Sequence, residues 1–344
     1  MATQRHPRIA SLDVTRACAA TAVFLFHYGA FPFGYLGVEL FFLLSGFVLT
    51  LPSRHDSIFQ FARARCVRLY SAYWVALVLT LCAILWKGER PSLVAVAANA
   101  TMLTAFLGQR YIDGVYWSLT EEIIFYLLVG ITGSYRKQCN PLVLAATMAF
   151  ACVGYATITR SGLIDIAHNS KAEMAIKYFP FFSCGIAAAT LFRKFGKNET
   201  FSLRTTAAAF ALCAAVPPLT NFFGYSTHLP QSLSGYEKVA IGCVFMTFYS
   251  LIVAASFEHR FAVADAPSNS IARCGMALVR GIAFFGACTY PFYLLHERFA
   301  KTISALMGVT SSGPWVLVVL FCAVALLSVV IHLVVEKKAL AWLK

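Results

Sequence analysis

Long apolar runs separated by short polar connections recur along the whole chain. A helix needs about 20 mostly apolar residues to cross a bilayer. Runs near 9–29, 35–52, 70–86, 116–133, 140–159, 176–192, 205–222, 238–257, 279–299 and 313–335 approach that length. The pattern predicts an all-α polytopic membrane protein: a bundle of about ten transmembrane helices with no soluble domain, residues 1–344 forming one membrane domain. An eleventh run, 92–108, is short, rich in Ala and Thr, and interrupted by Asn99. It is not counted as a span.

Polar residues interrupt these runs at few places, and ionisable groups within a bilayer are costly and usually kept for function. The first two runs carry Asp13, Arg16, His27 and Glu39. Arg16, Ala20, Val23 and His27 share a face at helical spacing, which predicts one wall of a polar cavity. Asp13 and Arg16 are three apart, the spacing of a local ion pair. Residue counts at about 1.5 Å per residue bring His27, Glu39, the Glu121/Glu122 pair and His296 to a similar depth on four helices. An imidazole titrating near neutrality and oriented by a carboxylate suits a general base. Glu122 or Glu39 is the expected orienting acid, and Glu121 the solvated member of its pair. Arg65 and Arg68, also three apart, offer two guanidinium forks suited to phosphate oxygens, although positive-inside anchoring accounts for the same residues.

Composition changes this picture little. Of 344 residues 59% are hydrophobic and 12% charged, and the mean hydropathy is +0.71, outside the range of ordinary soluble domains. The net charge of +13 is spread between apolar runs, with no basic stripe of the kind nucleic acid requires. Ten spans with both termini cytoplasmic put most of the 28 Lys and Arg inside, with the 53–69 and 193–204 loops cytoplasmic and 223–236 outside. The first apolar run carries Asp13 and Arg16 and has no small-residue cleavage site, so a retained helix is expected in place of a signal peptide. Eleven Cys without a C-x-x-C pair predict small buried hydrophobes and neither metal nor disulfide framework. No P-loop, dinucleotide fingerprint, G-x-S-x-G or H-E-x-x-H occurs.

Several stretches, in order, resemble the acyltransferase type 3 family of integral membrane acyltransferases. They are Leu12-Asp13 with Arg16 and His27, Gly37 to Phe47 with Glu39, Arg65-Cys66-Val67-Arg68, Trp117-Ser118-Leu119-Thr120-Glu121-Glu122, and Tyr290-Pro291-Phe292-Tyr293-Leu294-Leu295-His296. Ser71 stands where that family commonly has Pro, and Glu121 adds an acid to the W-S-L motif. The resemblance implies acyl transfer, usually acetyl from acetyl-CoA, to a hydroxyl of a cell-surface carbohydrate or its precursor, in a bacterial cytoplasmic (inner) membrane. Carried over, His27 is the catalytic base, Glu122 the acid of the W-S-L motif, and Arg65 and Arg68 the donor pair. Asp13, Arg16, Trp117, Ser118, Tyr293 and His296 are expected on the substrate side. The lipid bilayer, acyl-CoA and a carbohydrate acceptor are the partners implied, with no metal and no nucleic acid. A transporter or proton-coupled carrier is the alternative that intramembrane His and Glu also suit, although no inverted repeat is visible.

Overall fold

The computed structural model describes residues 10–51, 57–133, 140–161, 176–197, 270–309 and 313–342. The predicted spans 205–222 and 238–257, the 223–236 loop and most of 258–278 lie outside the described residues. Among the described residues the chain is helical and has no strands. The helices are α1 (Ala10–His27), α2 (Leu36–Thr50), α3 (Ile58–Trp86), α4 (Leu93–Ala100), α5 (Trp117–Ile131), α6 (Pro141–Arg160), α7 (Phe179–Lys197), α8 (Ser270–Ala287), α9 (Thr289–Leu295), α10 (Arg298–Leu306), α11 (Pro314–Ile331) and α12 (Lys337–Ala341). Among the described residues three segments are long and apolar enough to cross a membrane: α3, Gly114–Ile131 and Pro314–Ala341. The bent pair Ala277–Ala287 and Thr289–Leu295 makes a fourth if taken as one span.

Small residues set the helix packing. A Cβ on Gly185 of α7 would overlap the Leu43 carbonyl of α2, and one on Gly46 of α2 would overlap the Phe182 carbonyl of α7. The two backbones therefore touch reciprocally, as small residues allow at membrane helix interfaces. Gly37 brings α2 against Ala19 and Val23 of α1, and Gly286 brings α8 against the Asp13 backbone. Consequently Ala20 and Val23 are each 1% exposed and belong to the core. The Arg16, Ala20, Val23, His27 face is packed against its neighbours, and does not form the expected wall of a cavity.

The third helix starts earlier than the apolar run that announced it. Ser57 caps it, its hydroxyl accepting from Gln60 N–H at 3.1 Å. With Ser in place of Pro at 71, the helix runs unbroken for 29 residues, about 43 Å, longer than the hydrocarbon core. The expected 53–69 loop is thus helical from Ile58 onward, and Arg65 and Arg68 stand on a rigid element. Arg63 reaches the Trp342 carbonyl at 3.1 Å, which puts the start of α3 and the end of α12 at the same end of the bundle.

The 92–108 run does not cross. Its helix has eight residues, about 12 Å, and its end meets the middle of α3. There Tyr73, Trp74 and Tyr70 donate to the carbonyls of Asn99, Ala100 and Thr101 at 2.6, 3.1 and 2.7 Å. The buried Asn99 side chain donates to Ala95 and Arg110 carbonyls and accepts from Ile112 N–H, closing the return limb. Side chains of the protein satisfy this irregular backbone, which is the condition for its lying among membrane helices.

The single span expected over 279–299 is broken. α8 ends at Ala287 and α9 turns away by 56°. Pro291 is the cause: it lacks an N–H, and its ring excludes the carbonyl of residue 287 from a continuing helix. α9 is almost wholly buried, and α10 follows after the non-helical Glu297. Of the eight cysteines in apolar runs, expected to be buried, Cys152, Cys184 and Cys288 are, whereas Cys18, Cys82 and Cys322 lie on the surface of the bundle, and Cys213 and Cys243 lie outside the described residues.

Candidate active site

His27 closes α1, and the α9–α10 break brings two further groups to it. Nδ1 of His27 is 3.2 Å from Oε1 of Glu297, and the same oxygen is 3.2 Å from Nζ of Lys301. The rings of His27 and His296 lie 5.1 Å apart at 62°. Nδ1 of His296 is 2.6 Å from the Tyr293 carbonyl, so this nitrogen carries the proton and Nε2 is the bare acceptor. That Nε2 is buried without a hydrogen-bond partner. Tyr28 donates to the His296 carbonyl at 3.1 Å. Burial works against the Glu297 carboxylate, but the hydrogen bond and charge of His27, with Lys301 alongside, outweigh it. They hold the Glu297 carboxyl well below its usual range, at about 2.

The expected orienting acids of His27 are elsewhere. Glu122 accepts from Tyr126 of its own helix and from Ser45 of α2, the latter at 3.1 Å. Glu39 is 2% exposed and its Oε2 has no hydrogen-bond partner. The carboxylate on His27 is that of Glu297. Glu121, expected to be solvated, is 2% exposed, because it shares the buried face of α5 with Ser118 and Phe125.

A second polar cluster forms around the arginine pair. The Arg65 guanidinium lies 5.7 Å from the ring centres of both Phe61 and Tyr126. Arg68 is solvent-accessible although Tyr126, Glu122, Glu336 and Tyr290 all stand within electrostatic reach of it. A charged side chain enclosed by several elements yet accessible lines a recess, and not the outer surface. Tyr290 donates to the Leu69 carbonyl at 2.9 Å, and His332 pairs with Glu336 at 2.6 Å across a π-helical turn, His332–Glu336.

The buried α9 joins the two clusters. Tyr290, Tyr293 and His296 follow at three-residue intervals, from the recess of Arg68 to His27. Midway, the hydroxyls of Tyr293 and Ser118 are 2.8 Å apart, and both lie within bonding distance of the Val115 carbonyl. Trp117 packs on Tyr178 of the turn before α7, ring centres 5.0 Å apart at 31°. Asp13 and Arg16 form the local ion pair, at 2.6 Å, near the opposite end of α1 from His27. Among the described residues no group of three or more His, Cys, Asp or Glu side chains is arranged to hold a metal ion.

Sequence reasoning did not single out Glu297, Lys301, Asp113 or Glu336. One signal existed for Asp113: an acid immediately before a Gly and an apolar helix is a capping pattern. Glu297 directly follows the Tyr290 to His296 motif, but only the break at Pro291 turns it onto α1.

Comparison with known proteins identifies the family. The acyltransferase domain family matches residues 9–333, nearly the whole chain. A protein named as a membrane-bound transacylase, BcsY of Komagataeibacter xylinus, is 24% identical over 170 residues, covering 42% of this chain and 44% of that protein. The match thus spans less than half of that relative's length. No solved structure matches the chain. With apolar helices of membrane-spanning length and a family match across almost its full length, the chain belongs to the acyltransferase type 3 family.

Proposed function

We propose that this acyltransferase moves an acyl group, acetyl in the first instance, from acyl-CoA to a hydroxyl of a cell-surface carbohydrate or its precursor. The observation that carries the reading is the His27–Glu297 pair at one end of α9 with the Arg65–Arg68 recess at the other. In this reading the protein is a bundle of about ten spans in a bacterial cytoplasmic membrane, with both termini cytoplasmic.

The guanidinium forks of Arg65 and Arg68 hold CoA phosphates at the cytoplasmic mouth. The pantetheine arm then extends along Tyr290 and Tyr293, because the α1 face between Arg16 and His27 is closed by packing. The span from Arg16 to His27, about 16 Å at 1.5 Å per residue, measures the reach required. Nδ1–H of His27 donates to Glu297, leaving Nε2 free to take the acceptor hydroxyl proton as its oxygen attacks the thioester carbonyl. Collapse of the tetrahedral intermediate breaks the C–S bond. The CoA thiolate leaves and takes up the proton from the imidazolium, which Glu297 has stabilised. Ester and free CoA are the products, with no change of oxidation state. Ser118 and Tyr293 supply hydroxyls between donor and base, His296 offers an acceptor nitrogen, and Trp117 an aromatic face for a sugar.

Purified protein in lipid nanodiscs, given radiolabelled acetyl-CoA and saccharide acceptors, tests this. Label should pass to the acceptor with release of CoA, and His27→Ala should abolish transfer while leaving CoA binding in place. Transfer undiminished in His27→Ala would refute the assignment of the base.

A further inference from the structure

At the start of α5 the chain makes a 3-10 turn, Gly114–Tyr116, capped by Asp113. Asp113 is fully buried and uses both carboxylate oxygens on backbone groups. Oδ1 accepts from Val115 N–H at 3.1 Å, and Oδ2 accepts from Arg298 N–H at 3.0 Å. The second bond reaches the residue immediately after Glu297, so it ties the backbone of Glu297 to the turn. Gly114 faces the other side of the same residue. A Cβ at Gly114 would stand 3.1 Å from Oε2 of Glu297, closer than side chains ordinarily approach, and 3.8 Å from its Cδ, an ordinary contact.

The Glu297 carboxylate is therefore confined. Oε1 points to His27 and Lys301, Oε2 rests over the bare Cα of Gly114, and the backbone is held by Asp113. Outside this contact, Arg298 pairs with Glu89 at the end of α3, which anchors α10. The His27–Glu297 bond, at 3.2 Å, has little slack before it exceeds hydrogen-bonding distance.

We infer that the Asp113–Gly114 turn is the positioning element that sets the Glu297 carboxylate against His27. A side chain at 114 pushes Oε2 aside, by a few tenths of an ångström for a methyl group and further for a branched one, and so turns Oε1 away from Nδ1. Asp113 is required because its two bonds fix the distance between the start of α5 and the α9–α10 break. The functional half of this inference rests on His27 being the base.

A double-mutant cycle tests it on the full-length protein in nanodiscs: Gly114→Val, Glu297→Ala, and both together. If the turn acts through Glu297, Gly114→Val lowers kcat about tenfold with KM for acetyl-CoA unchanged, Glu297→Ala lowers it about a hundredfold, and the pair costs no more than Glu297→Ala alone. A turn that matters only for folding gives losses that multiply, and that result overturns the inference. Gly114→Ala, whose methyl requires Glu297 to give by a few tenths of an ångström, shows the same pattern at smaller size. It decides the matter where Gly114→Val yields no folded protein. The rate at which diethyl pyrocarbonate modifies His27, followed by mass spectrometry, reads the same cycle without turnover. There Gly114→Val should move the rate toward that of Glu297→Ala, with no further change in the double variant. An unchanged rate in Gly114→Val, or independent effects, refutes the positioning role. Activity that survives His27→Ala instead refutes the base, and leaves the modification arm to decide on the turn.

Discussion

Nδ1 of His27 and Oε1 of Glu297 stand 3.2 Å apart, so the histidine that ends the first helix takes its carboxylate from the break between α9 and α10. An imidazole held this way turns Nδ1 to the carboxylate and leaves its second nitrogen for other partners. The same contact allows Glu297 to stabilise a transient imidazolium.

Glu297→Gln keeps the shape of the side chain and removes its charge. It should lower kcat for acyl transfer about a hundredfold and leave the affinity for CoA unchanged. Glu39→Gln, in a buried carboxyl that makes no contact with His27, should lose far less. Steady-state kinetics with labelled acetyl-CoA distinguish the two. Equal losses in both variants would detach Glu297 from the chemistry.

Arg68 is accessible within a recess that also holds Glu122, Glu336, Tyr126 and Tyr290. Phosphate binding there depends on a planar fork, which Lys does not supply. Arg68→Lys should weaken CoA binding about tenfold although the charge is kept, and Arg65→Lys should act in the same direction. Calorimetric titration with CoA measures both. Unaltered affinity in the two variants would leave the pair an anchoring role alone.

The helical character was legible in the sequence because apolar runs announce it, although only three or four of the described segments are long and apolar enough to cross a membrane, and the interruption of 92–108 was half visible in its Asn99. The site was less legible, for geometric reasons. Counting residues along straight helices put Glu122 and His296 at one depth, but Pro291 breaks the α8–α9 span and turns it by 56°. That bend delivers Glu297 to His27 and leaves Glu122 with Tyr126 and Ser45. The choice between Glu121 and Glu122 turns on about 100° of helical phase. Neighbours four residues on, Phe125 for Glu121 and Tyr126 for Glu122, are apolar or amphipathic in both cases, so periodicity alone did not resolve it. Contacts between distant segments, such as His27 with Glu297, leave no local trace at all.

Close packing of α2 on α7 makes a separate prediction about stability. Gly185→Val would drive a side chain into the Leu43 carbonyl, and the backbones would have to part. A loss of about 1–3 kcal/mol is expected, the usual range for overpacking. Gly154→Ala on α6, where a Cβ meets nothing within 4 Å, should be neutral or slightly stabilising. Thermal unfolding midpoints in one detergent compare the pair.

The fold-back of residues 92–108 fixes which segments share a side of the membrane. Arg90 and Arg110 flank it, and both side chains are exposed. Arg63 lies at the opposite end of α3 from Arg90, separated by most of a helix about 43 Å long. Single cysteines at 63, 90 and 110, in a background lacking the native reactive cysteines, should sort into two classes with a membrane-impermeant maleimide. Positions 90 and 110 should label from the same face of oriented vesicles, and position 63 from the other. A crossing segment would put 90 and 110 on opposite faces, and that labelling pattern would overturn the fold-back. It would also reverse the side on which every later segment emerges, and so conflict with the contact between Arg63 and the Trp342 carbonyl.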